Sequence, residues 1–261
     1  VVNDYTAKAG GGNLMKVSNE EMFETVNDST MLWYKQKNAF RVGHVEIDSD
    51  ADVGQASFAS GGKHLASGDF STVMGQECRA RNFAAVAIGN ITTADGYASV
   101  ALGWRATAAG PYSFAAGRES YAPGNSSVAL GACYSQGDYS FAAGYGSGAS
   151  GLGSATIGWQ SQNSGNYSIV LGSNNDAFGN NSTAIGSNVI GRSYNSLNTG
   201  RFNKVEGSMS EWIDTDPLFV IGNGSSVTLR SNAFEVKKDG TTYIPSLYTT
   251  SSDSTKNSVY V

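Results

Sequence analysis

The sequence predicts an all-β protein dominated by a β-solenoid of 14-residue coils, flanked by small β-hairpin segments. Three observations carry this expectation. One phrase recurs eleven times at nearly constant spacing, side-chain type alternates with period two inside each phrase, and glycine stands at the same two places in almost every copy.

The phrase is Gly-x-x-Ser-x-Ala-x-Gly. It reads GQASFASG (54–61), GDFSTVMG (68–75), NFAAVAIG (82–89), GYASVALG (96–103), GPYSFAAG (110–117) and GNSSVALG (124–131). It continues as GDYSFAAG (137–144), GLGSATIG (151–158), GNYSIVLG (165–172), GNNSTAIG (179–186) and a degraded SYNSLNTG (193–200). Nine of the ten intervals between closing glycines are 14 residues, and the step from Gly131 to Gly144 is 13. The usual helical repeats run to 33 residues or longer, so a period of 14 speaks for strands. Ser99 and Ala101 fall on one side, Val100 and Leu102 on the other, and the six residues between phrases suffice for a turn and a second short strand. Each coil is then two short strands and two turns, stacked on the next at about 4.8 Å. A closing glycine supplies the positive φ that a chain reversal needs at low cost. The Val/Ile/Leu/Phe column (Val86, Val100, Phe114, Val128 and their partners) is expected to fill the inside and the Ser/Ala column to face outward. So thin a roll buries a small fraction of its surface, and side-by-side association with copies of itself is expected.

Composition narrows the function. Charged residues make up 15% of the chain, well under the roughly 25% of ordinary globular proteins, while 33 residues are Gly and 4 are Pro. No Gly-X-Y period is present, so a collagen-like chain is excluded. A net charge of -5 argues against a nucleic-acid partner, which requires a basic face. No apolar run approaches the roughly 18–20 residues of a membrane-spanning helix. With two cysteines, two histidines and no C-x-x-C pair, no metal site and no cofactor are expected. Cys78 and Cys133 lie four coils apart, about 19 Å along the stack, beyond the roughly 7 Å that a disulfide spans; both are expected as free thiols. The chain opens at Val1 without Met or a signal segment, as a mature product or an excised piece would.

The flanks differ from the repeat and divide the chain into 1–53, 54–203 and 204–261. Residues 1–53 hold nine acidic and five basic side chains, and TMLWYKQKNAFRVGHVEI (30–47) reads as two strands around a polar KQKN turn. At the other end, DPLFVIGNGSS (216–226) and RSNAFEVKKDGTTYI (230–244) place Asn-Gly and Asp-Gly reversals between alternating apolar runs.

The phrases NFAAVAIG, GYASVALG, GNSSVALG and GNNSTAIG resemble the head repeats of the trimeric autotransporter adhesins, the YadA-like heads, over about residues 54–203. The resemblance implies a left-handed parallel β-roll, three chains packed into a homotrimer, and an extracellular role in attachment through a glycan or protein receptor. The family anchors and exports itself with a heptad stalk and a C-terminal membrane β-barrel segment, and neither is read in this chain. An excised head, or a repeat borrowed by another fibre, is therefore expected, on a bacterial cell surface or as the distal fibre of a phage-like particle. The phrase LFVIGNG with RSNAFEVKKDGTTYI resembles the segment that precedes the endosialidase-type intramolecular chaperone of trimeric tail and surface fibres. A chaperone domain that once followed would have been cleaved or left out, because the chain ends at Val261 after a polar TTSSDSTKNS tail.

The position just after the closing glycine carries Trp104, Arg118, Tyr145 and Trp159, with Arg105 beside the first. Same-column residues on successive coils lie about 4.8 Å apart, which suits an aromatic–cation stack and a surface strip for a sugar ring or a peptide. The same side chains could instead shield turns or pack against adjacent protomers. Phe70, Phe83, Tyr97, Tyr112, Tyr139 and Tyr167 recur too regularly for recognition and are expected to be structural. Gly146–Gly151 matches G-x-G-x-x-G, but no helix is expected to follow it and receive a pyrophosphate. Acidic residues such as Asp69, Asp95 and Glu119 fall in different columns, without the pair that a glycosidase requires, and no catalytic residue is expected. The leading function is a non-enzymatic adhesive fibre segment. The alternatives are a polysaccharide-degrading, tailspike-like hydrolase and a purely structural shaft.

Overall fold

In the computed structural model of the chain the described residues are 15–17 and 26–245; the TTSSDSTKNS tail and much of the first 25 residues lie outside them. The chain divides into two compact units, residues 1–135 and 136–261.

The first unit opens with an antiparallel hairpin. The strands Val26–Tyr34 and Ala39–Ile47 pair with Trp33 opposite Phe40, around a single 3-10 turn, Lys35–Lys37. Asn38 closes that turn at φ 51, a conformation that a short amide side chain tolerates. The second hairpin strand then takes a parallel partner, Phe58–Gly62, with Phe40 against Phe58 and Gly43 against Gly61. From there the chain coils. Long strands (Phe58–Gly62, Thr72–Gln76, Val86–Asn90, Val100–Trp104, Phe114–Arg118) stack in parallel at a register of 14 residues, for instance Ala101 on Ala87 and Ala115. Two-residue strands such as Thr93–Ala94 and Thr107–Ala108 stack likewise on the opposite wall. The result is a parallel β-solenoid with six of the closing glycines in this unit and five in the second.

The corners belong to the ladder as well. Arg105 N donates to Asn90 O at 2.9 Å and Tyr112 N to Tyr97 O at 2.7 Å, so backbone pairing runs around the coil with little interruption. Most corners hold a non-glycine residue in the left-handed region, such as Phe70 (φ 58), Glu77 (φ 54), Ile91 (φ 57), Arg105 (φ 52) and Tyr112 (φ 56), while Gly146 (φ 64) and Gly153 (φ 60) take two corners of the second unit. The reversal therefore does not fall on the closing glycine, as the sequence suggested; it falls two residues later. The closing glycine lies inside the long strand and answers a second demand. A Cβ at Gly89, where φ is +135, would meet the Gly103 carbonyl oxygen at 1.9 Å, so the backbones of successive coils leave no room for one.

The inside and outside of the coil are the reverse of the sequence expectation. Ser99 and Ala101 are completely buried, as are Ala87, Ala115, Ser127 and Ala129 within 1%, whereas Val100 and Leu102 point outward and stay half-exposed. The physical reason is thickness. Facing sheets filled by branched side chains stand about 10 Å apart, and a 14-residue coil cannot open that far. Small residues fill it, and several of the polar ones are satisfied locally, as Ser99 Oγ donates to Gly96 O at 2.8 Å and Ser127 Oγ to Gly124 O at 2.7 Å, whereas Ser71 and Ser113 find no partner for Oγ. Cys78 and Cys133 occupy the same interior as buried free thiols.

Arg41 closes the first end. It stands in register with Ala59, one layer before the first coil, and is 2% exposed. Its guanidinium donates to Ser57 O (3.1 Å), Ser57 Oγ (2.8 Å), Ala66 O (2.9 Å) and Phe40 O (3.0 Å). Burial pulls its pKa down to about 10. Beside it His64, 4% exposed, reaches Val42 O with Nε2 at 3.4 Å, while Nδ1 has no partner. The 13-residue step is absorbed without loss of a strand. Val128–Ser135 runs straight through the place of a left-handed corner, pairing Phe114 with Val128 and Tyr121 with Tyr134.

The second unit repeats this architecture with amides in its interior. Asn175 Nδ2 donates to Leu171 O and Gly186 O at 2.7 and 2.8 Å, and its Oδ1 accepts from Val189 N at 2.8 Å. After Leu197–Arg201 the strand Pro217–Asn223 continues the parallel stack, with Gly200 against Gly222. It then turns antiparallel to Asn232–Lys237, which pairs with Thr242–Tyr243 across the Asp239-Gly240 turn. Both flanking hairpins expected from the sequence are therefore present.

Candidate functional site

In most coils the residue after the closing glycine ends a long strand at the coil edge, as Trp104 and Arg118 do, whereas Tyr145 lies inside the longer strand Phe141–Ala149. In the first unit this column runs His44, Gly62, Gln76, Asn90, Trp104 and Arg118, each in register with the next. Trp104 is 37% exposed. The Arg105 guanidinium carbon lies 4.9 Å from its ring centroid and that of Arg118 at 5.2 Å, one cation from the following corner and one from the next coil. Glu119 approaches both, Oε1 at 3.9 Å from Arg105 and Oε2 at 3.9 Å from Arg118. The Arg105 and Arg118 side chains are 55% and 73% exposed. Contacts this long between exposed charges contribute little, so the guanidinium donors stay available.

In the second unit Tyr145 stacks on Trp159 with ring centroids 4.5 Å apart and planes at 19°. The five residues singled out by the sequence thus fall into two groups, Trp104 with Arg105 and Arg118 in one unit and Tyr145 with Trp159 in the other. In the second group each ring has one face already covered by its neighbour.

The other aromatic column also forms a ladder. Phe70, Phe83, Tyr97 and Tyr112 follow one another at 5.3, 5.1 and 5.5 Å. These rings spend their faces on each other, which is the geometry of coil-to-coil packing.

Sequence reasoning missed the neutral half of the first column. Asn90 is in register with Trp104 and Gln76 with Asn90, and Asn90 Nδ2 donates to Gln76 Oε1 at 3.2 Å. Beyond Gln76 the column opens into a shallow trough lined by His44, Gly62, Lys63 and Gln76, where a Cβ on Gly62 would meet nothing within 4 Å. Counting 14 back from Trp104 reaches both amides, so the signal was present in the period. Among the described residues no group of three or more His, Cys, Asp or Glu side chains is placed to hold a metal ion, and no helix is long and apolar enough to cross a membrane.

A parallel β-solenoid with a mixed amide, indole and guanidinium edge is thereby defined. A family model described as the YadA head domain repeat matches residues 81–106, 108–132 and 164–188, so the similarity falls in both units. No curated protein matches the chain.

Proposed function

We propose that the chain is a non-enzymatic, homotrimeric segment of an extracellular fibre that attaches to a cell surface or matrix, with residues 54–203 as the adhesive roll between two end segments. One observation carries the reading: the outward wall of the long strands is apolar rung after rung. Val86, Val100, Phe114 and Val128 stack in register, as do Ile88, Leu102, Ala116 and Leu130, and Ile157, Ile169, Ile185 and Leu197 repeat the theme at 36–47% exposure. A continuous apolar wall of this kind is unusual on a solitary soluble chain and fits an interface. Copies of the same chain suit it, because the branched side chains excluded from the thin coil would find their core between protomers. The YadA head repeats support three copies and a surface-exposed role.

Trp104 with Arg105 and Arg118 in the first unit, and Tyr145 with Trp159 in the second, are the proposed receptor surfaces, with trivalency raising avidity without new contacts. The C-terminal phrase from Leu218 onward supports a fibre whose assembly an intramolecular chaperone domain assists. Absolute molar mass by light scattering tests the assembly: a trimer has three times 27.2 kDa, about 82 kDa. A chain that stays at 27.2 kDa overturns the reading and returns the hydrolase to the front.

A further inference from the structure

The geometry points to an acidic oligosaccharide as the ligand of the Gln76–Asn90–Trp104–Arg118 column, an assignment that rests on the adhesive reading of this strip and names its chemistry. The four side chains stand on four successive rungs, a span of about 14 Å. They form an ordered series: two amides suited to sugar hydroxyls, an indole offering an apolar edge to a ring, and a guanidinium suited to a carboxylate or sulfate oxygen. Cations stand at both ends. Lys63 lines the trough beyond Gln76, and Arg105 and Arg118 bracket Trp104.

Charge complementarity favours an anionic chain over a neutral one. Among the described residues, carboxylates approach the two guanidiniums no closer than 3.9 Å, against about 2.7–2.9 Å for a charge-assisted hydrogen bond. This loosely held cationic edge lies on a chain of net charge -5. Two successive amides beside an aromatic edge favour a saccharide over an acidic peptide, whose recognition would need cations rung after rung; Gln76 and Asn90 interrupt any such run. Glu119 then competes with the ligand for both guanidiniums, and Glu77 follows Gln76 in sequence at the neighbouring corner.

The test is a titration of the full chain with four probes at low and physiological salt: a sulfated dextran oligosaccharide, an oligogalacturonate, neutral dextran and polyglutamate. Both acidic saccharides should bind and weaken with salt, and the better of the two identifies sulfate or carboxylate as the group read. Arg118→Ala and Trp104→Ala should each weaken binding about tenfold, the scale of one lost charge-assisted or stacking contact. Glu119→Gln should tighten binding about threefold, a gain that a residue serving only packing would not produce. The molar mass of each variant, measured in parallel, separates loss of the ligand from loss of assembly. The assignment is overturned if neither acidic saccharide binds, if polyglutamate binds as well as they do, or if the three variants match the parent chain. In that event a trimer that still adheres to cells leaves the adhesive reading standing, with its receptor site elsewhere.

Discussion

A buried serine hydroxyl stabilises this coil only when it finds a carbonyl, and the inner column contains both outcomes. Ser99 Oγ donates to Gly96 O at 2.8 Å, whereas Ser71 and Ser113 hold equivalent positions with no partner for Oγ. Removing a satisfied hydroxyl deletes one hydrogen bond, leaving the Gly96 carbonyl with Ser99 N at 3.2 Å, and costs about 1 kcal/mol, while removing an orphaned one relieves a desolvation penalty of similar size. Ser99→Ala should therefore lower stability by about 1 kcal/mol, and Ser71→Ala should leave it unchanged or raise it slightly. Urea denaturation of the two variants checks the contrast; equal losses would show that side-chain volume, and not the hydroxyl, governs the column.

Among the elements, the N-terminal hairpin acts as a lid on the first coil. Terminal layers of stacked repeats need such protection, since an open end exposes unpaired backbone. Arg41→Met keeps the length of the side chain and removes the four donated hydrogen bonds, so a loss of about 2–4 kcal/mol in the first unit is expected. His64 adds a pH dependence. Burial, opposed by its contact with the Val42 carbonyl and reinforced by the nearby charge of Arg41 and by His44, holds its pKa below the ordinary 6.5. Below pH 6.5 the unfolded chain takes up a proton that the folded chain resists, so stability is fully present above that value and is lost as pH falls through 6.5 toward the folded pKa. The protection factors of the Ala39–Ile47 amides, hydrogen-exchange rates corrected for the intrinsic pH dependence of amide exchange, should fall between pH 7 and pH 5, and His64→Asn should flatten that dependence.

This element also marks what could and could not be read ahead. The hairpin and the 14-residue ladder were legible, because period and alternation are properties of the chain itself. Alternation assigns Ser99 and Val100 to opposite faces but does not say which face is inner; the width of the coil decides that, and width emerges only on closure. Arg41 was missed although FRVG (40–43) has the spacing of FASG (58–61), since an arginine at an alanine position reads as a break and not as a cap. At the candidate site the Trp104–Arg118 neighbourhood followed from the period. Glu119 and the two amides did not stand out, because polar side chains on a turn resemble ordinary surface.

At the scale of the whole molecule the apolar outer wall is the face through which the proposed trimer would pack. Val100→Lys and Leu102→Lys each place a charge on the outer face without entering the packed interior, so the coil should survive while association fails. Circular dichroism like that of the parent chain, together with a molar mass near 27.2 kDa, is the expected result. A variant that still assembles would show that the wall faces solvent in the oligomer, and one that unfolds would show that it supports the single coil.

The in-register stack has an evolutionary consequence. Because successive rungs superpose residue on residue, as Val86, Val100 and Phe114 do, homologous recombination between neighbouring gene blocks can delete or duplicate one 14-residue unit and leave each remaining rung with an equivalent neighbour. Reach thereby becomes a copy number that a lineage can change in a single genetic event, independently of what the edge column binds.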